Sequence, residues 1–241
     1  EPFIEINVQD ADLYGLKNAE LAQVNSAWGG MTARVSITDK QLPGQIFVPM
    51  HWTAQHSSNG RMGALVNPAI DPISKQPESK HTPVMIAPAK FKHYGFILAR
   101  EPLDTDSISK DCDYWVHVPC EGYHRYEIAR NTAPSNWQSW IVAITRKFDA
   151  SNFQEYQDKA LGIYRSAAIT GGKLQLLLSI SCNPHQPELP DRNWMGSLFN
   201  TEKIERPERL ALLSGLPSAG VEDVGNIVCA CFNVGEKTIV K

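Results

Sequence analysis

Turn residues interrupt the start of this chain so often that no long helix fits into it. From Glu1 to Trp52 each apolar run ends within about eight residues at a Gly, Pro, Asn or Asp, the spacing of short strands joined by tight turns. "LAQVNSA" and "MTARVSIT" alternate apolar and polar positions on either side of "WGG", which predicts a hairpin with glycines at positive φ. "DADLYGL" predicts one short helical turn with Asp10 as its N-cap, and "QLPGQIFVPM" a strand broken by a Pro-Gly corner. From His51 to the strand "PVMIA" there is little periodicity and much Gly, Pro, Ser and Asn, which predicts a long ordered loop. Structureless loops of that length inside a compact domain are commonly functional, and this one carries His51, Trp52, Gln55, Arg61, Lys75, Glu78 and Lys80.

Beyond about Lys90 the pattern changes. "HYGFILA", "YWVHVPCEGYHRYEIAR" and "WIVAIT" read as strands, and "NFQEYQD" as a short helix. "ALGIYRSAAITGGKLQLLLSIS" places apolar runs on both sides of "TGG", which favours a buried hairpin over a helix. "PELPDRNWMGSLF" and "RPERLALLSG" read as two helices entered through prolines, the second ended by Gly215. The chain therefore divides into a β-rich unit over 1–90, an α+β unit over 91–217, and a linker with the start of a further unit over 218–241.

Composition narrows the function. With 241 residues, 42% of them hydrophobic and 20% charged, the chain can bury one large or two ordinary cores. A net charge of -3 argues against a general nucleic-acid surface, and no apolar run is long enough to span a membrane. The N-terminus lacks the basic and apolar regions of a signal peptide, and the missing initiator Met reads as a chain cut at both ends. Five irregularly spaced cysteines fit a reducing compartment. Cys112 and Cys182 read as isolated thiols, and His117, Cys120 and His124 match no standard zinc spacing and read as structural. Cys229 and Cys231 are either half of a metal-ligand set or two buried thiols.

The order of segments is more specific than any one of them. "RVSITDKQLPGQIFVPMHW" followed by "DPISKQPESK" resembles the dinucleotide-binding domain of molybdenum enzymes that carry bis-molybdopterin guanine dinucleotide. With "YRSAAITGGKLQLLLSIS", "DRNWMGSLF" and "VCACFNVG" the chain is similar to the C-terminal part of bacterial assimilatory nitrate reductase catalytic subunits. The resemblance implies an incomplete double-psi β-barrel of the aspartate-decarboxylase-like type, then the α+β unit, in a cytoplasmic enzyme that reduces nitrate to nitrite. The molybdenum ligand would lie elsewhere in the polypeptide, so this chain should hold no catalytic residue and neither bind cofactor nor turn over alone. A formate dehydrogenase type of enzyme and a non-catalytic electron-transfer or binding module are the alternatives.

Within the loop the resemblance singles out Lys80, the lysine of the family's "PExK" motif. Chemistry supplies partners for a phosphate-bearing dinucleotide: Lys80 as a charge, Trp52 as a stacking face, Gln55 and Gln76 against a ring edge, and Glu78 as an acceptor for a ring amine. His51 would touch the cofactor or support a residue that does. Related enzymes often carry Asn where Gly63 stands, so either Asn59 or Asn67 replaces that contact or a cofactor hydrogen bond is absent. Cys229 and Cys231 resemble the first half of a Cys-x-Cys, Cys-x-x-Cys set for a 2Fe-2S cluster, fed by an electron-donating reductase or ferredoxin.

Overall fold

A computed structural model describes residues 1–78, 81–183 and 189–217, and the backbone of 227–229 and 234–235. Five strands form a curled, half-closed barrel: β1 (Phe3–Ile6), β2 (Leu21–Asn25), β3 (Gly30–Ile37), β4 (Ile46–Phe47) and β5 (Met85–Pro88), in the order β4-β1-β3-β2-β5. β1 runs parallel to β3 and every other pair is antiparallel. A parallel pair needs a crossover, which here is helix α1 (Val8–Leu13) together with β2. Ile4, Ile6, Val24, Met31, Ala33 and Val35 point into the curl and are buried. The hairpin β2–β3 forms as alternation predicts.

Two local expectations are corrected. Asn7, rather than Asp10, caps α1: its side chain accepts from the Gln9 N–H at 2.9 Å. Asp10 sits in the first turn, and its carboxylate accepts from the Gly44 N–H at 2.7 Å, which ties down the Pro-Gly corner where Gly44 has φ of 78°. In the β2–β3 turn neither Gly29 nor Gly30 has positive φ. Gly29 is required because a Cβ there would lie 2.3 Å from the Ala64 carbonyl oxygen.

The second sheet is wholly antiparallel. Its strands are β6 (His93–Ala99), β7 (Tyr114–Cys120), β8 (Tyr123–Arg130), β9 (Phe153–Asp158), β10 (Ile163–Thr170) and β11 (Lys173–Ser181), in the order β7-β8-β6-β11-β10-β9. Both faces of its centre are covered, which explains the unbroken apolar runs in β6 and β11. On one face Ile97, Leu176 and Leu178 meet helices α2 (Thr105–Asp111) and α3 (Trp137–Thr145). On the other, Phe96, Leu98, Leu174 and Leu177 meet α4 (Arg192–Ser197) and α5 (Arg206–Ser214), which ends at Gly215 with φ of 72°.

Here the structure overturns two elements. "WIVAIT" is the body of helix α3, because Asn136 caps it through the Ser139 N–H at 2.8 Å, and Trp137, Trp140, Ile141 and Ile144 make one buried helical stripe. "NFQEYQD" is strand β9, held by six cross-strand pairs to β10; pairing with a formed neighbour outweighs its weak helical preference. Helix α2 had no apolar period to reveal it, since Ile108 is its one buried residue. The backbones of β12 (Ile227–Cys229) and β13 (Val234–Gly235) pair as a short antiparallel ladder.

Candidate cofactor loop

The segment between β4 and β5 is fastened at several points. The Ser58 N–H donates to the Trp115 carbonyl at 2.9 Å, the Trp115 N–H to Ser58 Oγ at 3.0 Å, and the His117 N–H to the His56 carbonyl at 2.7 Å. Loop residues 56–58 thus cover the outer edge of β7, which would otherwise expose unpaired backbone groups. The Thr32 N–H donates to the Asn59 carbonyl at 2.8 Å, so the same loop also grips the half-barrel. Beyond it, a 3-10 turn (Met62–Ala64) seats Leu65 in the barrel core.

Both ends of the loop line an open cleft of about 570 Å3, with Ile46, Val48, Met62, Leu65 and Val84 as its apolar wall and His51 and Thr82 as its polar groups. That volume suits a small-molecule or cofactor segment. The Thr82 hydroxyl is buried without a hydrogen-bond partner, a donor that the sequence did not suggest. Farther along, the Asn67 amide donates to the Glu78 carboxylate at 3.2 Å. Between them the Asp71 carboxylate accepts from the Ser74 and Ile73 N–H groups, which holds its pKa below the usual range and shapes a tight turn, with Lys75 at φ of 60°. The Asp71 N–H donates to the Gln76 carbonyl at 2.9 Å, and the Gln76 side chain is exposed.

The candidate residues therefore fall into separate groups. Asn67 and Glu78 meet; His51 borders the cleft; Gln55 is exposed on the turn that precedes Ser57. Trp52 packs partly into the apolar seam formed by Leu21, Tyr114, Val116 and Ala129, so one side of its ring is committed to packing. Lys80 and Cys231 lie outside the described residues, as does the Cys229 side chain. Among the described residues no group of three or more His, Cys, Asp or Glu could hold a metal ion. Cys112 is buried, which pushes its thiol up to about 12.

His56 was not legible in the sequence, because its partners are more than sixty residues away. It lies 5.7 Å from His117 by ring centroids, and His117 Nε2 is 3.0 Å from His124 Nδ1, with one imidazole donating to the other. His117 also stacks on Tyr126 at 4.5 Å. Burial, then His124 and His56, press the His117 pKa down to about 4. Opening the loop removes His56 and part of the burial and so raises the His117 pKa toward its ordinary value, and the closed loop therefore loses stability as pH falls toward 4. We expect the His117 ring to titrate near pH 4 by NMR, with faster amide exchange in 56–58 at pH 5 than at pH 7. A midpoint near 6.5 would sink this coupling.

The half-barrel and its loop define a class. Residues 1–83 match the family model for the molydopterin dinucleotide binding domain. More particularly, the chain is 32% identical over 239 residues to a nitrate reductase of Klebsiella oxytoca, covering 99% of this chain and 26% of the relative. It is 32% identical over 88 residues to the assimilatory nitrate reductase catalytic subunit of Bacillus subtilis, covering 36% of this chain and 12% of the relative. Over 86 residues it is 37% identical to the F420-dependent formate dehydrogenase subunit alpha of Methanocaldococcus jannaschii, covering 36% and 12%. The chain thus spans about a quarter or less of the length of these relatives.

Proposed function

We propose that this chain is the C-terminal cofactor-binding part of a molybdenum-dependent assimilatory nitrate reductase, which reduces nitrate to nitrite in the cytoplasm. The observation that carries this reading is coverage: similarity to a nitrate reductase runs through both sheets, over 239 residues, whereas the formate dehydrogenase similarity extends over 86. The formate dehydrogenase type is the second reading, supported by its 37% identity within that shorter span. Among the described residues no helix is long and apolar enough to cross a membrane.

The residues present fit a molybdopterin guanine dinucleotide. Its flat, hydrogen-bonding rings suit an apolar cleft that keeps an unpartnered Thr82 hydroxyl, and the exposed Gln55, Gln76 and Glu78 supply donors and acceptors along the loop. Lys80 would neutralise phosphate charge and His51 would hydrogen-bond at the cleft edge. Molybdenum on the bound cofactor supplies the oxygen-atom transfer chemistry. The contribution of this chain is to hold and orient the dinucleotide and to keep water from its inner face. Cys229 and Cys231 would provide half the thiolates of a 2Fe-2S cluster that receives electrons from a reductase or ferredoxin.

The deciding experiment assays the full polypeptide with reduced viologen and nitrate, and with formate and an oxidised dye, beside the 241-residue chain alone. Nitrate reduction by the full polypeptide and no turnover by the chain alone are expected. Formate oxidation without nitrate reduction would transfer the assignment to the second reading. Lys80→Ala in the full polypeptide should lower its molybdenum content severalfold without changing its thermal midpoint, with Lys75→Ala milder. Undiminished metal and activity in the Lys80 variant would remove it from the site. Cys229→Ser should abolish the visible absorption of the 2Fe-2S cluster, and an unchanged spectrum would make the pair structural.

A further inference from the structure

The second sheet carries a cleft for which the cofactor reading has no use. It measures about 490 Å3 and opens where the ends of β6 and α3 meet the β10–β11 hairpin. Its apolar lining presents Leu103 and Phe148, both half-buried, above Ile144 and Leu176, which are buried in the core of the sheet. Its lip is charged. This combination, an apolar body with a few polar groups converging on one side, is the usual form of a small-molecule site.

The charges on the lip do not cancel. Arg100, Arg146 and Lys147 stand against Glu101 and Asp104, three cations to two carboxylates, which leaves one positive charge. Most of these groups are occupied: Lys147 pairs with Glu101, and Arg100 donates to the carbonyls of Leu174 at 3.0 Å and Phe199 at 2.7 Å. Asp104 caps α2, accepting from the Asp106 N–H at 3.1 Å and the Ser107 hydroxyl at 2.8 Å. Arg146 donates to the Ser107 hydroxyl at 3.3 Å, makes no direct ion pair among the described residues, and acts on Asp104 only from a distance, adding to the Ser107 hydrogen bond in lowering its pKa.

The backbone of Arg146 is a second, independent observation. It is the C-cap of α3 with φ of 53° and ψ of 5°, the left-handed position that glycine takes without strain and an L side chain does not. Strain of this kind persists where the surrounding structure holds the residue in place, and it fixes where the Arg146 side chain leaves the helix end. We propose that this cleft binds an organic monoanion with an apolar body, whose carboxylate is received by the Arg146 guanidinium while the body lies on Leu103 and Phe148.

The test titrates the full polypeptide with 2-naphthoate, following the fluorescence of the probe, with neutral 2-naphthamide as the isostere. Saturable naphthoate binding below about 1 mM is expected, with the amide at least tenfold weaker, on the order of one charge-assisted hydrogen bond. Arg146→Gly should weaken naphthoate by about tenfold or more while the thermal midpoint holds or rises by about 2–4 °C, because glycine relieves the left-handed cap. Arg146→Lys should recover part of the affinity. No saturation at millimolar probe, equal binding of the amide, or unchanged affinity in Arg146→Gly overturns the proposal. Neither readout depends on nitrate reduction, so the outcome is separate from that of the assigned activity.

Discussion

Replacing Glu127 by alanine is expected to cost about 3–5 kcal/mol, the largest loss from any single substitution considered for this chain. Glu127 lies on β8 with its side chain 2% exposed, and three guanidinium groups converge on it. Arg192 Nε approaches at 2.6 Å, Arg125 Nε at 3.4 Å, and Arg34 of the half-barrel at 3.7 Å. Arg34 also pairs with Glu1 at 2.7 Å, and this pair keeps the Glu1 carboxyl below its ordinary pKa against the opposing effect of burial. Removing Glu127 leaves three partly buried cations across the seam between β3, β8 and α4 with Glu1, paired to Arg34, to offset them. An attraction becomes a repulsion in a poorly screened place. The urea midpoint should fall sharply, and Glu127→Gln should fall between the parent and the alanine variant. Lys147→Ala, which breaks an exposed pair with Glu101, should leave the midpoint unchanged. A loss below about 1 kcal/mol in Glu127→Ala would mean that water screens the cluster and that apolar contacts alone join the sheets.

Gly29→Ala is expected to have the next largest effect, about 1–3 kcal/mol, from overpacking at one point. Its new Cβ would stand 2.3 Å from the Ala64 carbonyl oxygen, and neither group is a flexible side chain that can swing aside. The turn Met62–Ala64 would have to move, taking Leu65, 4% exposed, out of the barrel core. The thermal midpoint should drop by several degrees, roughly 2–4 °C for each kcal/mol at this chain length. Amide exchange should accelerate over 60–66, and the full polypeptide should retain less cofactor. Gly63→Ala is the matched control, since an added Cβ there meets nothing within 4 Å. Equal effects at the two glycines would show that backbone freedom, rather than close approach, sets the requirement at Gly29.

Part of the candidate site was legible before the fold was known. The long loop between His51 and the strand that follows, its polar side chains and the family signature around it are features of contiguous sequence, and residues 1–83 match the expected family. The meeting of Asn67 with Glu78 and the part of Thr82 were not visible, because a hydroxyl's partners cannot be counted from its neighbours in the chain. Trp52 shows the same limit. An aromatic residue in a loop reads equally as a stacking face or as packing, and the second sheet takes one side of it.

By itself the sequence determined what depends on near neighbours: the hairpins β2–β3 and β10–β11, the glycine stop of α5 and the punctuation of the loop. Alternation and turn residues act over two to five positions, so their signal survives without tertiary context. Only the tertiary structure decided that "WIVAIT" coils, that "NFQEYQD" extends along β10, and that His56 meets His117 and Arg34 meets Glu127. Each of these depends on which faces two sheets present to each other. A short apolar run satisfies a helix or a strand equally well, until a neighbouring surface removes one side of it from water.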